Sequence, residues 1–174
     1  RVVFYTCAVD EVLIERMRID SGGNVTKPTH CAFFVGQAST QSNVTGGAQY
    51  ATINFGTESG GAFFDRGGDI SGSTFTAPVA GAYHFDASAM CRGVLSGHTG
   101  GFIYFVCTLG NTQMTENTNP FDGANVYGSC RMSGSLTLHM DAGDTCVIQL
   151  YVSGSTQVID INADSDTHFG GYLI

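Results

Sequence analysis

Basic residues are scarce in this 174-residue chain, with seven Lys and Arg against fifteen Asp and Glu. That balance argues against a nucleic-acid partner, because phosphate contacts need basic side chains. No run approaches the ~18 apolar residues of a membrane span, so membrane insertion is not expected. Sustained apolar spacing at period 3.6 is missing apart from a short stretch at 10–16, which leaves little room for helices. The six cysteines, Cys7, Cys31, Cys91, Cys107, Cys130 and Cys146, are irregularly spaced and contain no C-x-x-C pair. A zinc site needs clustered ligands, and none cluster here. Cys91, Cys107, Cys130 and Cys146 fall inside apparent strands, where a free thiol behaves as a small buried hydrophobe. Reduced, structural cysteines are therefore expected, with one or more disulfides as the alternative.

Catalytic patterns are also missing. There is no G-x-S-x-G elbow, and Ser165, Asp166 and His168 are too close along one chain to build a triad unaided. Glycoside cleavage needs two carboxylates facing each other across a cleft. Asp160, Asp164 and Asp166 share one loop, while Glu58 and Glu116 stand alone. No enzyme is expected.

Glycine and aromatic residues are plentiful: 24 Gly, 12 Phe and 7 Tyr. Together with abundant Ser and Thr they point to β structure with frequent turns. Strands are expected at 1–6 and 15–19 in the N-terminal part, with a turn at Gly22–Gly23, whose adjacent glycines supply positive φ. Pro28 stiffens a boundary. Beyond it, ten strands are expected at 30–38, 50–55, 62–64, 74–76, 81–91, 101–109, 112–116, 126–140, 145–152 and 168–174. Such a series argues for an all-β sandwich or jelly roll. The expected division is a β-rich shaft segment at 1–28 and a head at 29–174.

Two motifs anchor the head. Residues 75–85 read F-T-A-P-x-x-G-x-Y-x-F. Pro78 withholds a backbone donor and belongs at an edge or between strands. Gly81 is expected to take a backbone conformation or close packing closed to larger residues. Tyr83 and Phe85 alternate onto one face. The chain closes with F-G-G-Y-L-I at 169–174. In this order, with the turn at Gly143 and Asp144, these motifs resemble the complement C1q globular-head family of the tumour-necrosis-factor superfamily. The resemblance implies a C1q/TNF-like jelly roll of about ten antiparallel strands, with Phe75, Pro78, Gly81, Tyr83, Phe85, Phe169, Gly171 and Tyr172 as its structural core. It also implies a homotrimer. The string E-R-M-R-I-D-S-G-G-N-V at 15–25 resembles repeat-like segments in the shafts of tailed-bacteriophage fibre and appendage proteins.

A shaft joined to such a head implies a non-enzymatic virion component that meets other tail proteins at one end and a host cell-surface glycan or protein at the other. The rivals are a purely structural fibre or trimerisation cap, and a secreted cellular recognition protein. Counting strand directions places loops 92–100, 116–125 and 154–167 at the end away from the shaft. Candidate ligand-binding residues there are His98, Asn117, Asn119, Phe121, Asp122 and Asn125. One aromatic ring among amides and a carboxylate suits saccharide stacking and hydrogen bonding; an ordinary Asn-Pro and Asp-Gly turn is the alternative. Asp160, Asn162, Asp164 and Asp166 place oxygen side chains at alternate positions that could converge on Ca²⁺. A solvated acidic loop is the alternative, and no other cofactor is expected.

Overall fold

The computed structural model describes residues 1–7, 12–44, 50–56, 63–108, 128–163 and 165–174, with the backbone of 112–115. Seventeen strands occur among the described residues. In the N-terminal part these are β1 (Val2–Cys7), β2 (Leu13–Ile19) and β3 (Val25–Thr26). The next seven are β4 (Ala32–Gln37), β5 (Gln41–Val44), β6 (Ala51–Thr52), β7 (Phe55–Gly56), β8 (Phe64–Asp65), β9 (Ile70–Ser71) and β10 (Thr74–Thr76). The rest are β11 (Gly81–Val94), β12 (His98–Cys107), β13 (Thr112–Thr115), β14 (Gly128–Met140), β15 (Thr145–Gly154), β16 (Ile159–Ile161) and β17 (His168–Leu173). One expected head strand, 50–55, breaks at Ile53–Asn54, β11 runs on past its expected end to Val94, and β5, β9 and β16 add to the expected set.

β1, β2 and β3 form a separate three-stranded antiparallel sheet. The turn between β2 and β3 is held by Asp20, whose carboxylate accepts from the backbone N–H groups of Gly22 (2.8 Å) and Asn24 (2.9 Å) and from the Asn24 amide (2.9 Å). Gly23 sits at φ 84°, the left-handed region that favours glycine. Those hydrogen bonds, Asn24's side chain first, hold the Asp20 carboxyl below its usual range. A depressed carboxylate stabilises its structure above the ordinary carboxylate pKa and loses that contribution as pH falls through the lowered value. Amide exchange at Gly22 and Asn24 should therefore accelerate in acid below that range. Unchanged protection there would show that the turn does not depend on this carboxylate.

The head is a sandwich of two antiparallel sheets. One runs β13-β12-β15-β10-β9, with β6 also on β15. The other runs β5-β16-β11-β17-β4-β7, with β14 on β11 and β8 on β4. The chain crosses between the sheets at the β10–β11, β11–β12 and β14–β15 connections, so sequence neighbours face each other across the core rather than pair. The last strand, β17, lies between β4 and β11, tying the two ends of the head together.

Period-two alternation explains the core. Tyr83, Phe85, Ala87, Ala89 and Cys91 of β11 point inward, and Cys146, Ile148, Leu150 and Val152 of β15 meet them from the other sheet. Phe33, Phe75, Tyr83, Phe85 and Phe169 form one ring cluster with centroid separations of 4.9–6.3 Å. Each such buried ring contributes about 1.5–3 kcal/mol of transfer free energy.

Two expected core residues are exposed, and a third, Gly81, is only half-buried. Tyr172 is 47% exposed, because alternation along β17 turns Phe169 and Gly171 inward and Gly170 and Tyr172 outward. Pro78 is exposed in the turn before β11, where its neighbour Ala77 is buried and exchanges backbone hydrogen bonds with Gly143 and Asp144. Gly81 does not take a positive φ. A Cβ there would meet only the Leu173 side chain, its Cδ1 atom at 2.6 Å, so the close-packing half of that expectation holds against one flexible side chain. The rigid glycine is Gly171, where a Cβ would lie 2.5 Å from the Phe85 ring and 2.8 Å from the Phe33 ring.

Candidate functional site

The N-terminal sheet joins the end of the sandwich that carries the 77–80 and 141–144 turns. His30 bonds the Leu173 carbonyl oxygen through Nε2 at 2.7 Å, and Arg16 reaches the Thr29 hydroxyl at 3.5 Å. A cleft of about 770 Å³ at this junction is lined by Glu15, Arg18, Lys27, His30 and Arg66 among others. At the opposite end the 95–97 turn approaches 154–159: His98 pairs with Gly154, Gly97 lies against Ser155, and Gly93 faces Ile159.

The sequence candidates scatter over this frame. His98 is 1% exposed. It is not a surface recognition residue, because β12 begins at this position and carries the ring inward. Its Nδ1 accepts from the Leu95 N–H at 2.8 Å, bracing the 95–97 turn. Residues 92–94 likewise belong to β11, and β16 occupies the middle of 154–167, so both loops are shorter than expected. Asn117, Asn119, Phe121, Asp122 and Asn125 lie outside the described residues.

The oxygen-rich run is divided among separate partners. The Asp160 carboxylate accepts from the Asn43 N–H at 2.8 Å. Asn162 contacts the Thr40 hydroxyl at 3.5 Å, and its carbonyl oxygen accepts from the buried Thr167 hydroxyl at 2.7 Å. Asp166 pairs with Arg131, and Asp164 lies outside the described residues. Among the described residues no three His, Cys, Asp or Glu side chains converge as a metal site would require.

The outward face of β11, β14 and β17 is polar. Asp86, Ser88, Arg131, Ser133, Ser135 and His168 line a hollow of about 340 Å³ there. His168 Nε2 stands 3.6 Å from the Asp86 carboxylate. Ser88 Oγ and His168 Nδ1 are both buried without a hydrogen-bond partner, so they are not bonded to each other. A nucleophile needs its base at hydrogen-bond reach, and this trio lacks that link. Nearby, His84 bonds the Thr137 hydroxyl at 2.9 Å and its ring lies 5.3 Å from Tyr172.

The outward face of the other sheet carries a group that sequence reading missed. Tyr50 makes an edge contact with Tyr104 at 5.0 Å and lies 5.5 Å from Tyr151, while Phe102 stands 6.2 and 5.9 Å from the same two rings. Tyr50 is 56% exposed. Gln149 and Thr52 border the rings, joined by a side-chain hydrogen bond of 3.4 Å. Burial, with help from the Tyr50 hydroxyl, pushes the Tyr104 phenol up to about 12. The signal available in sequence is the alternation Phe102-x-Tyr104 and Tyr151 opposite it, but Tyr50 arrives from a distant segment.

No protein-family model and no curated protein sequence matches the chain. Among solved structures, murine APRIL at pH 5.0 matches at 11% identity with a TM-score of 0.54, over 83% of this chain and 99% of that one. The globular domain of zebrafish complement 1qA matches at 18% identity with a TM-score of 0.49, over 83% and 97%. The all-β sandwich with its crossing connections is therefore the C1q/TNF-like jelly roll.

Proposed function

We propose that the chain is a non-catalytic, homotrimeric recognition head of a virion appendage such as a phage tail fibre, directed at a host cell-surface glycan. The observation that carries the assembly is the N-terminal sheet. No residue of β1, β2 or β3 is buried, yet Val2, Phe4, Met17, Ile19 and Val25 share one face through the pairings Val2 with Ile19, Phe4 with Met17 and Ile19 with Val25. Val2, Phe4 and Val25 are 49–57% exposed. A sheet that is apolar on one face has to bury that face against another layer, and three copies packed face to face supply the missing layer. The resemblance of residues 15–25 to phage shaft segments supports the setting.

For recognition, Tyr50, Phe102, Tyr104 and Tyr151 offer faces for sugar stacking, with Gln149 and phenol hydroxyls as hydrogen-bond partners. Residues 116–125, expected from the sequence to form a loop bearing Asn119 and Phe121, are the second candidate contact. Single sites on such shallow surfaces bind weakly, and three copies raise the effective affinity. Light scattering after size exclusion should give about three times the 18.3 kDa chain mass. The isolated trimer should bind susceptible cells and compete with particle attachment, and Tyr50→Ala should weaken both without lowering thermal stability. A monodisperse monomer at micromolar concentration would refute the assembly. A folded trimer that neither binds cells nor blocks attachment would leave the structural cap as the reading.

A further inference from the structure

We propose that the head carries two built-in disulfide sites, Cys91–Cys130 and Cys107–Cys146, each closing across an antiparallel strand pair when the folded chain meets a disulfide oxidant. None of the six cysteines is in a disulfide in the structure, but four of them stand directly opposite one another. Cys91 faces Cys130 across β11 and β14, and Cys107 faces Cys146 across β12 and β15. The two pairs lie one in each sheet.

The ladder positions decide whether a bond can form. The Thr108 N–H donates to the Thr145 carbonyl oxygen at 3.1 Å. The adjacent Cys107–Cys146 pair is therefore a non-hydrogen-bonded pair, with Cα atoms about 4.5 Å apart. In β11, the carbonyl oxygens of Ala82 and Met90 accept from Ile174 and Asn162 on the β17 and β16 side. Odd-numbered Cys91 consequently turns its backbone towards β14, in a hydrogen-bonded pair with a spacing of about 5.5 Å. Both spacings fall inside the disulfide window of roughly 4.4–6.8 Å. Cys7 stands opposite Leu13 across β1 and β2, and Cys31 precedes β4.

Glutathione disulfide would serve as oxidant. A protein thiolate attacks one of its sulfurs, forming a mixed disulfide and expelling one glutathione thiolate. The partner cysteine, its proton released to solvent, then attacks the protein sulfur of the mixed disulfide and expels the second glutathione. Each pair loses two electrons and two protons, and one oxidant molecule becomes two thiols. Entry is easiest at Cys130, which is half-buried and whose thiol is held below its usual pKa by the hydrogen bond from Cys91. Cys107 and Cys146 are buried and react only as the sheet end opens, so the Cys91–Cys130 bond forms first.

The test is independent of the assembly and receptor readings. The folded chain is incubated with glutathione disulfide, remaining thiols are alkylated, and the bridges are mapped by mass spectrometry of proteolytic peptides. Expected are Cys91–Cys130 and then Cys107–Cys146, with Cys7 and Cys31 alkylated, and a melting temperature about 5–10 °C above the reduced form. Cys130→Ser should abolish the first bridge and leave the second; if that variant does not fold, the map of the unaltered chain decides. Six alkylated thiols, bridges to Cys7, Cys31 or a second chain, or bridges formed only in denaturant would overturn the assignment. So would an oxidised form that melts no higher than the reduced one.

Discussion

Tyr83→Ala is expected to lower the unfolding free energy by about 3–5 kcal/mol, the range for truncating a fully buried aromatic. Tyr83 is 0% exposed and packs against Phe75 and Phe85 at centroid distances of 5.5 and 6.2 Å. Its hydroxyl donates to the Val79 carbonyl oxygen at 2.7 Å and so ties β11 to the turn before it. Truncation removes both the ring and this tie, and the neighbouring rings cannot all collapse into the space. Tyr83→Phe should cost only about 0.5–1.5 kcal/mol, the net worth of one hydrogen bond. Urea unfolding of the two variants separates packing from hydrogen bonding. Equal losses in both would show that the hydroxyl, rather than the ring, holds this corner.

Gly171→Val should be the next most damaging, by the opposite mechanism. The added Cβ would press on Phe85 and Phe33 at 2.5 and 2.8 Å, and both rings are locked by further aromatic contacts with Phe75 and Phe169. Overpacking of this kind costs about 1–3 kcal/mol per insertion, and the branched side chain brings more than one carbon, so a loss near the top of that range is expected. Gly81→Ala is the control. Its added methyl meets only the mobile end of Leu173, and its cost should stay within about 1 kcal/mol. If urea unfolding finds Gly81→Ala the more harmful of the two, the assignment of Gly171 as the packing-critical glycine is wrong.

The two glycines differ in what a sequence can say about them, and the same divide runs through the rest of the head. Alternation along 83–91 and 169–173 is local, and it correctly turns Tyr83, Phe85 and Phe169 inward. Applied without exception, the same rule turns Tyr172 outward, where it lies. Membership of a motif groups Pro78 with the core, but a residue without a backbone donor fits an exposed turn better than a ladder. Ser96 and Gly97 signal a turn and so suggest a loop position for His98. The turn is only three residues long, and β12 starts at the histidine.

Composition and period-two patterning determined that this is a β-rich chain that folds as a sandwich, because turn residues and strand alternation act between near neighbours along the chain. Register and sheet order are long-range. They bring Tyr50 onto Tyr104 and Tyr151, set Cys91 opposite Cys130 and Cys107 opposite Cys146, and send Asp160 and Asp166 to Asn43 and Arg131 rather than to a common centre. Nothing in the spacing of those residues encodes the pairing, since a one-residue slip in register would reverse every face. Only the packed sandwich, in which one register buries the aromatic cluster, decides which of these side chains meet.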